Sequence, residues 1–579
     1  MRTLVGAVSQ IARVVVDVTG VDKPFDYLIP EDLASTVVVG ARVRVPLHRR
    51  EVPGWVTAIV DAQHSDVGAS RLLALKKVTS IGPTPEVVSL IEWAAGRWAS
   101  RRRPFLVSAS PDRRVPRLLS PRYSPRVTTS GESQIRGLLH AGGGVVQCGP
   151  ASNHVAVLES ALSLGPTILV APTVVQARRL AAESRRMGFT TAIYPDEWAS
   201  AASGVDVVVG ARSVVWASVP SLSCIVVIDE HDDTLQEERS PTWHARDVAI
   251  ERARRAGIPC LLVSPVPTLA AQNWAGDRTL VTDDASQWPS VRVIDRNSDD
   301  RWASSLVTSP LIELLRDERK RVVCVLNVKG RARVVACDSC RTVGRCETCG
   351  AAVTQPDEHQ LVCPRCATTR PVVCVSCGSQ KMRSVRIGIS RLRDELEAAA
   401  GRLVQEITPS TTSVDPRASV FVGTEAVLHR IDRADVVVFL DIDTELLAPR
   451  FRASEQALDL LAHGARVVGS SGELVIQTAV PQHEVLAGLA SGDLSAHVAA
   501  ERLRRQRLHL PPFGALAEIS GKGTAEVVGQ LAQSLLVQVA MGDERALVRA
   551  RSWDDLSEAL AALDRPKQRV RIAVDPARA

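Results

Sequence analysis

No stretch of this 579-residue chain is long and apolar enough to span a membrane as a helix. The two longest runs without Asp, Glu, Lys or Arg, 137–158 and 161–177, are broken by Gly142, Gly143, Gly144, Pro150, Gly165, Pro166 and Pro172. The N-terminus reaches Arg13 and Asp17 without an apolar core and cleavage site, so no secretory signal and a cytoplasmic location are expected. Charge of one sign is missing too. Seventy Lys and Arg against 64 Asp and Glu give +6, too little to imply a polyanion partner without a clustered distribution. A hydrophobic share of 45% beside 23% charged residues excludes a mainly disordered or collagen-like chain. The length suits about four domains, and no internal sequence repeat is visible.

What is concentrated is cysteine: eight of the twelve lie between 337 and 377. They form four C-x-x-C pairs, Cys337 with Cys340, Cys346 with Cys349, Cys363 with Cys366, and Cys374 with Cys377. In a reducing compartment such pairs bind metal rather than form disulfides. Eight thiolates complete two tetrahedral sites, so two structural Zn²⁺ ions are expected, with no open position for a hydrolytic water. Nested and sequential pairings both satisfy the count. The segment holds few large apolar residues, so metal must supply its folding energy.

The flanking texture is α/β. Apolar runs at 144–148, 167–171, 205–209, 224–228 and 260–263 alternate with Ala- and Arg-rich helical stretches, and the pattern resumes at 322–326, 420–422 and 436–440. Two parallel-sheet lobes are expected. The reading divides the chain into a β-rich domain (1–100), an Arg/Pro/Ser-rich linker (101–130), a first lobe (131–310), a second lobe (311–335 and 381–480) interrupted by the zinc-binding insertion (336–380), and a small α+β C-terminal domain (481–579). In the last, a helix is expected near 525–540 and a strand near 569–574.

Two such lobes suggest a nucleotide motor, yet the phosphate loop G-x-x-x-x-G-K-[ST] is absent. The only Gly-Lys, Gly521-Lys522, lies outside both lobes, and the expected place reads Gln147-Cys148-Gly149-Pro150-Ala151-Ser152-Asn153-His154. His231 and His244 are too widely spaced to be taken as a metal pair, and local hydrogen bonding is their expected use.

In order along the chain stand Phe25-Asp26-Tyr27, Gly210-Ala211-Arg212-Ser213, Glu230-His231-Asp232, Trp243-His244-Ala245-Arg246-Asp247, the eight cysteines, Gly423-Thr424-Glu425, Phe451-Arg452-Ala453-Ser454-Glu455 and Pro511-Pro512-Phe513. In that order they resemble the primosomal protein N′ (PriA) family of replication restart proteins, of which this chain looks like a divergent member. The resemblance implies two RecA-like helicase lobes, an N-terminal domain that captures the 3′ end of a nascent strand, and ATP with Mg²⁺ as cofactors. Its pocket maps onto Phe25, Asp26, Tyr27 and Lys76, with His48 standing where the family has glycine, which alters or blocks capture. Arg101 to Arg103, Arg113, Arg114, Arg117, Arg122 and Arg126 add a basic stripe suited to backbone phosphates or to plain solvation, and Arg502, Arg504, Arg505 and Arg507 form a second run.

The departures bear on the motor. With Gly149 on the family's loop glycine, Ser152 replaces the phosphate lysine and Asn153 the magnesium-binding hydroxyl. The acidic motif becomes Ile228-Asp229-Glu230-His231-Asp232, and of two late arginines only Arg466 remains. No catalytic residue is therefore assigned. The expected function is recognition of stalled or abandoned forks and promotion of primosome assembly and helicase reloading, without helicase activity. By the same resemblance, the partners are forked DNA with a nascent 3′ end, single-strand-binding protein, and the replicative helicase or its loader. The alternative is an active ATP-dependent 3′-to-5′ helicase with unusual phosphate ligands.

Overall fold

The computed structural model describes residues 10–61, 64, 71–124, 134–298, 306–326, 335–340, 342–348, 351–363, 368–384, 389–408, 410–411, 413–542, 545–564 and 568–578. The N-terminal sheet runs in the order Leu73–Ala74, Phe25–Leu28, Gln10–Val16, Arg50–Asp61, Arg42–Leu47, Lys77–Ser80. Its two edge strands are consecutive in the chain, and Lys76 donates its backbone N–H to the Arg44 carbonyl (3.0 Å), so residues 73–80 cross from one edge to the other. Alternation puts Ala12, Val14, Val43, Val45 and Val56 in its core.

Each lobe has a parallel sheet whose central strands are buried throughout, as the uninterrupted apolar runs require. The first runs Thr279–Val281, Gly143–Gln147, Cys260–Ser264, Cys224–Ile228, Thr167–Val170, Val207–Gly210, Thr191–Tyr194. The second runs Ser290–Asp295, Glu473–Thr478, Val436–Phe439, Val322–Val325, Val420–Gly423, Val404–Ile407. Ser290–Asp295 thus joins the second sheet from within the span assigned by sequence to the first lobe. The lobes share a local unit that the sequence does not show as a repeat. A strand ends in glycine (Gly210, Gly423) and passes straight into a 3-10 helix, Arg212–Trp216 or Glu425–His429. A Cβ on either glycine would strike a neighbouring carbonyl, Tyr194 O at 2.7 Å or Ile407 O at 2.4 Å.

Two expectations need correction. The segment read as a linker contains the helix Arg103–Ala109, whose Phe105 and Leu106 are buried beside Trp216. Two of its basic residues face acids, Arg102 meeting Asp22 and Glu92 and Arg103 meeting Asp17, whereas Arg113, Arg114, Arg117 and Arg122 are exposed. Those two arginines are structural; Arg126 lies outside the described residues. The helix expected near 525–540 ends at Leu531, and Val537–Met541 is a strand, because the alternating Val537, Val539 and Met541 pair with Arg545–Ala550. The C-terminal sheet packs into the same apolar core as the first lobe. Among the described residues no helix is long and apolar enough to cross a membrane.

Candidate nucleotide cradle, lobe seam and metal centre

After Gly143–Gln147 the chain enters the loop 148–154 and then the helix Val155–Leu162. In a phosphate loop the amides point at the ligand, whereas here three of them bond oxygens of the loop and a fourth, Cys148 N–H, donates to Ser264 O at 3.2 Å. Ser152 N–H donates to Gly149 O (3.1 Å), His154 N–H to Ser152 Oγ (3.4 Å) and Val155 N–H to Asn153 Oδ1 (3.1 Å). Ser152 and Asn153 therefore act as local turn residues. Gly149 has a packing reason as well: a Cβ there would lie 2.5 Å from the Asp284 carbonyl.

The second half of the cradle is Asp229, fully buried at the end of Cys224–Ile228 with φ +51°. Arg466 reaches it from the other lobe. Its guanidinium forms a bidentate pair with the carboxylate, Nη1 to Oδ2 at 2.8 Å and Nη2 to Oδ1 at 2.5 Å, while Nε donates to Pro150 O at 2.9 Å. Gln176 Nε2 adds a bond to Asp229 Oδ2 at 2.7 Å. Burial alone would push Asp229 up; the guanidinium, with His231 and His154 nearby, holds it far below the usual carboxylate range. Both landmarks of a nucleotide site, the loop and the acidic motif, are thus bound by one arginine. Glu230 is equally occupied, accepting from Thr268 N (2.7 Å) and Thr268 Oγ1 (3.0 Å) and pairing with Arg246 at 3.4 Å.

Arg466 is one contact of a longer seam. Arg452, Gln456, Asp459, His463 and Arg466 recur every three or four residues along the helix Ala453–Val468 and its entry, so they share a face. Opposite lies 229–236. Arg452 meets Gln236 (3.3 Å), Gln456 meets Asp233 (2.8 Å), Asp459 meets His231 (3.7 Å) and His463 meets Asp232 (3.1 Å). Glu455 accepts from the Leu269 amide (2.9 Å) and pairs with the buried Arg505 (3.0 Å), so part of the second basic run also serves structure. The seam borders a cleft of about 490 Å³ lined by Asp233, Glu425, Glu445, Arg450, Gln456 and Asp459 among others. His244 caps the helix Ala245–Ala256, accepting from Arg246 N–H at 3.2 Å, which is the local hydrogen bonding expected of it.

In the cysteine segment the structure resolves one pairing. Cys337, Cys340, Cys374 and Cys377 converge with all four sulfurs within 4.8 Å of one another, the Cys337–Cys377 and Cys340–Cys374 separations being 3.5 and 3.4 Å. Four sulfurs about 2.3 Å from one ion would stand about 3.8 Å apart, so the group fits zinc. The outer pairs thus face each other, as a nested arrangement requires. All four C-x-x-C turns are closed alike, the first cysteine's N–H bonding the carbonyl five residues on: Cys337 to Thr342, Cys346 to Ala351, Cys363 to Thr368 and Cys374 to Ser379. Cys346 and Cys363 are buried; Cys349 and Cys366 lie outside the described residues.

At the N-terminus, Phe25 is half-buried, while Tyr27 is buried, 3% exposed, with its hydroxyl donating to Pro46 O at 3.0 Å. Asp26 pairs with Arg13 at 3.3 Å, and Lys76 is exposed where the strand order closes. The Tyr27 ring faces the core, and Phe25 is the more open of the two rings. His48 and Arg49 form the exposed tip between Arg42–Leu47 and Arg50–Asp61 with φ +49° and +65°, a two-residue turn that favours glycine. His48→Gly is expected to stabilise this hairpin by about 0.5–1 kcal/mol, the relief of a left-handed side chain less glycine's unfolded-state entropy. The measurement is amide exchange in the peptide 42–61, expected to slow roughly threefold.

Sequence reasoning missed Gln176, Asp459 and His463. The only available signal was the i, i+4 spacing of the last two, which says nothing of the partner lobe.

The chain is similar to several known proteins. The 3′DNA-binding domain (3′BD) family of PriA matches residues 13–111. The replication restart protein PriA of Thermotoga maritima is 26% identical over 373 residues, covering 60% of this chain and 50% of that protein, so the chain spans about half the length of this relative. The protein of the same name from Rickettsia conorii is 24% identical over 572 residues, covering 87% of this chain and 86% of its own length. The probable replication restart protein PriA of Mycobacterium tuberculosis is 26% identical over 564 residues, covering 86% and 85%. Among solved structures, Saccharomyces cerevisiae Dbp5 bound to RNA and ADP BeF3 superposes with a TM-score of 0.36 at 12% identity, over 74% of this chain and 98% of that one.

Proposed function

Since the chain belongs to the PriA family, we propose that it binds stalled or abandoned replication forks carrying a nascent 3′ end and serves there as a recognition and assembly platform without motor activity. The observation that supports this most is the Arg466 pair with Asp229. A phosphoryl-transfer site needs a lysine on the phosphates and a carboxylate free to hold Mg²⁺. Here Ser152 stands at the lysine position, the amides of Ser152, His154 and Val155 donate to oxygens of the loop itself, and the carboxylate is neutralised from inside the protein. Losing one transition-state charge contact can cost about 10³-fold in rate, and several are missing together.

The lobes then act as a rigid body between the N-terminal reader and the cysteine module, and the module is proposed to hold two Zn²⁺. The second site would comprise Cys346, Cys349, Cys363 and Cys366, supported by the identical closure of the Cys346 and Cys363 turns. Protein partners of the proposed platform are single-strand-binding protein and the replicative helicase or its loader.

The experiment is fork binding with the 3′ end free or phosphorylated. Phosphorylating the end is expected to weaken the complex, because Asp26 would lose a hydroxyl donor and meet a like charge. Lys76→Ala is expected to weaken binding to every sequence alike and lower the slope of log K against log salt by about one. Equal affinity for both ends and an unchanged slope would remove the pocket assignment.

A further inference from the structure

We propose that the lobe seam contains a third metal site, for one divalent zinc-class cation, built from His231 of the first lobe and Asp459 and His463 of the second. One donor atom from each lies within 4.8 Å of the other two. Measured through Asp459 Oδ1, the His231 and His463 Nε2 atoms stand 3.7 and 3.4 Å away. Donors about 2.0–2.1 Å from a tetrahedral ion are about 3.3–3.4 Å apart, so a small inward shift completes the geometry. Two imidazoles and a carboxylate are a set suited to Zn²⁺ rather than to Mg²⁺ or Ca²⁺.

A second observation points to a ligand. His231 Nε2 and Asp459 Oδ1 are buried without a hydrogen-bond partner, on side chains only 2 and 8% exposed. Buried polar atoms without partners are costly, and two that face each other at one point need a common explanation. The supports of a metal site are present as well. His231 Nδ1 is 2.9 Å from Ser264 Oγ, a bond that holds the ring with Nε2 facing Asp459 when Nδ1 donates. His463 Nε2 also pairs with Asp232 Oδ2 at 3.1 Å, a contact that a bound ion would replace. The cleft bordered by Asp459 gives an ion an entry path. Glu425 and His429 also converge on His463, so this imidazole is shared by both groups. The place differs from that of a nucleotide magnesium, which Asp229 would hold and Arg466 fills. A cation bridging the helix Ala453–Val468 to the 229–236 segment would pin the lobes as one unit.

The test is elemental analysis of the purified full-length protein, as isolated and after incubation with excess Zn²⁺ and gel filtration. His463→Gln and His231→Gln are each expected to hold one Zn²⁺ per chain fewer than the parent, and Cys340→Ser to lose a different equivalent additively. Co²⁺ added in place of Zn²⁺ after chelator treatment of the parent should give ligand-field bands of nitrogen and oxygen donors that are missing from His463→Gln. Asp459→Asn, which keeps size and shape, guards against loss through misfolding, checked by circular dichroism. Equal zinc content in parent, both histidine variants and Asp459→Asn, with no Co²⁺ bands lost in His463→Gln, would overturn the proposal.

Discussion

Arg466→Ala is expected to loosen the lobe seam by about 3 kcal/mol, the lower end for breaking a buried ion pair, because it strands the Asp229 carboxylate away from water. Arg466 is itself 30% exposed, which favours the lower figure. Amide exchange in 224–228 and 453–468 would rise by roughly 10²-fold, at about 1.4 kcal/mol per decade. The loss comes mainly from the orphaned charge, so the double variant Arg466→Met with Asp229→Asn should recover most of it. Arg466→Lys keeps the charge but not the fork and should fall between. A cycle in which the single and double changes simply add would show that the pair does not couple the lobes.

The other large effect concerns metal. Cys340→Ser removes one thiolate from the resolved four-cysteine site, and the segment 335–384 is expected to lose its exchange protection while the lobes keep theirs. The apolar core of this module is small, its largest fully buried member being Leu361, with Val335, Val353 and Val372 around it. Structural zinc contributes on the order of 10 kcal/mol to folding such modules, far above what those side chains supply. The docking bond from Ala352 N–H to Leu447 O should open with it. Survival of the module's protection after zinc removal would mean that its fold does not depend on metal.

How far these features were legible in the sequence depends on the range over which each is encoded. Central parallel strands such as Cys224–Ile228 and Val436–Phe439 announce themselves because burial on both faces demands an unbroken apolar run. Edge strands such as Thr191–Tyr194 and Thr279–Val281 are shorter and partly exposed, so their pattern is weak. The missing phosphate lysine was visible at Ser152, since absence of a charge is a local fact. What fills the resulting space was not, because Arg466 is 237 residues from Asp229 and only the packed lobes bring them together. The same distance hid the His231 neighbours. Arg102, Arg103 and Arg505 misled in the opposite direction: a basic run looks solvated until the acids that meet it, Asp22, Asp17 and Glu455, are placed in space. Zinc pairing could not be chosen from spacing, and the 3.4 and 3.5 Å sulfur separations choose it for one site.

The central claim is that an internal guanidinium has taken the place of magnesium and phosphate between the lobes. It is tested most directly by measuring ATP turnover by the purified full-length protein with and without a fork bearing a free 3′ end, beside Asp229→Asn. The account predicts no turnover above that variant and no stimulation by the fork. Fork-stimulated hydrolysis that Asp229→Asn abolishes would contradict it.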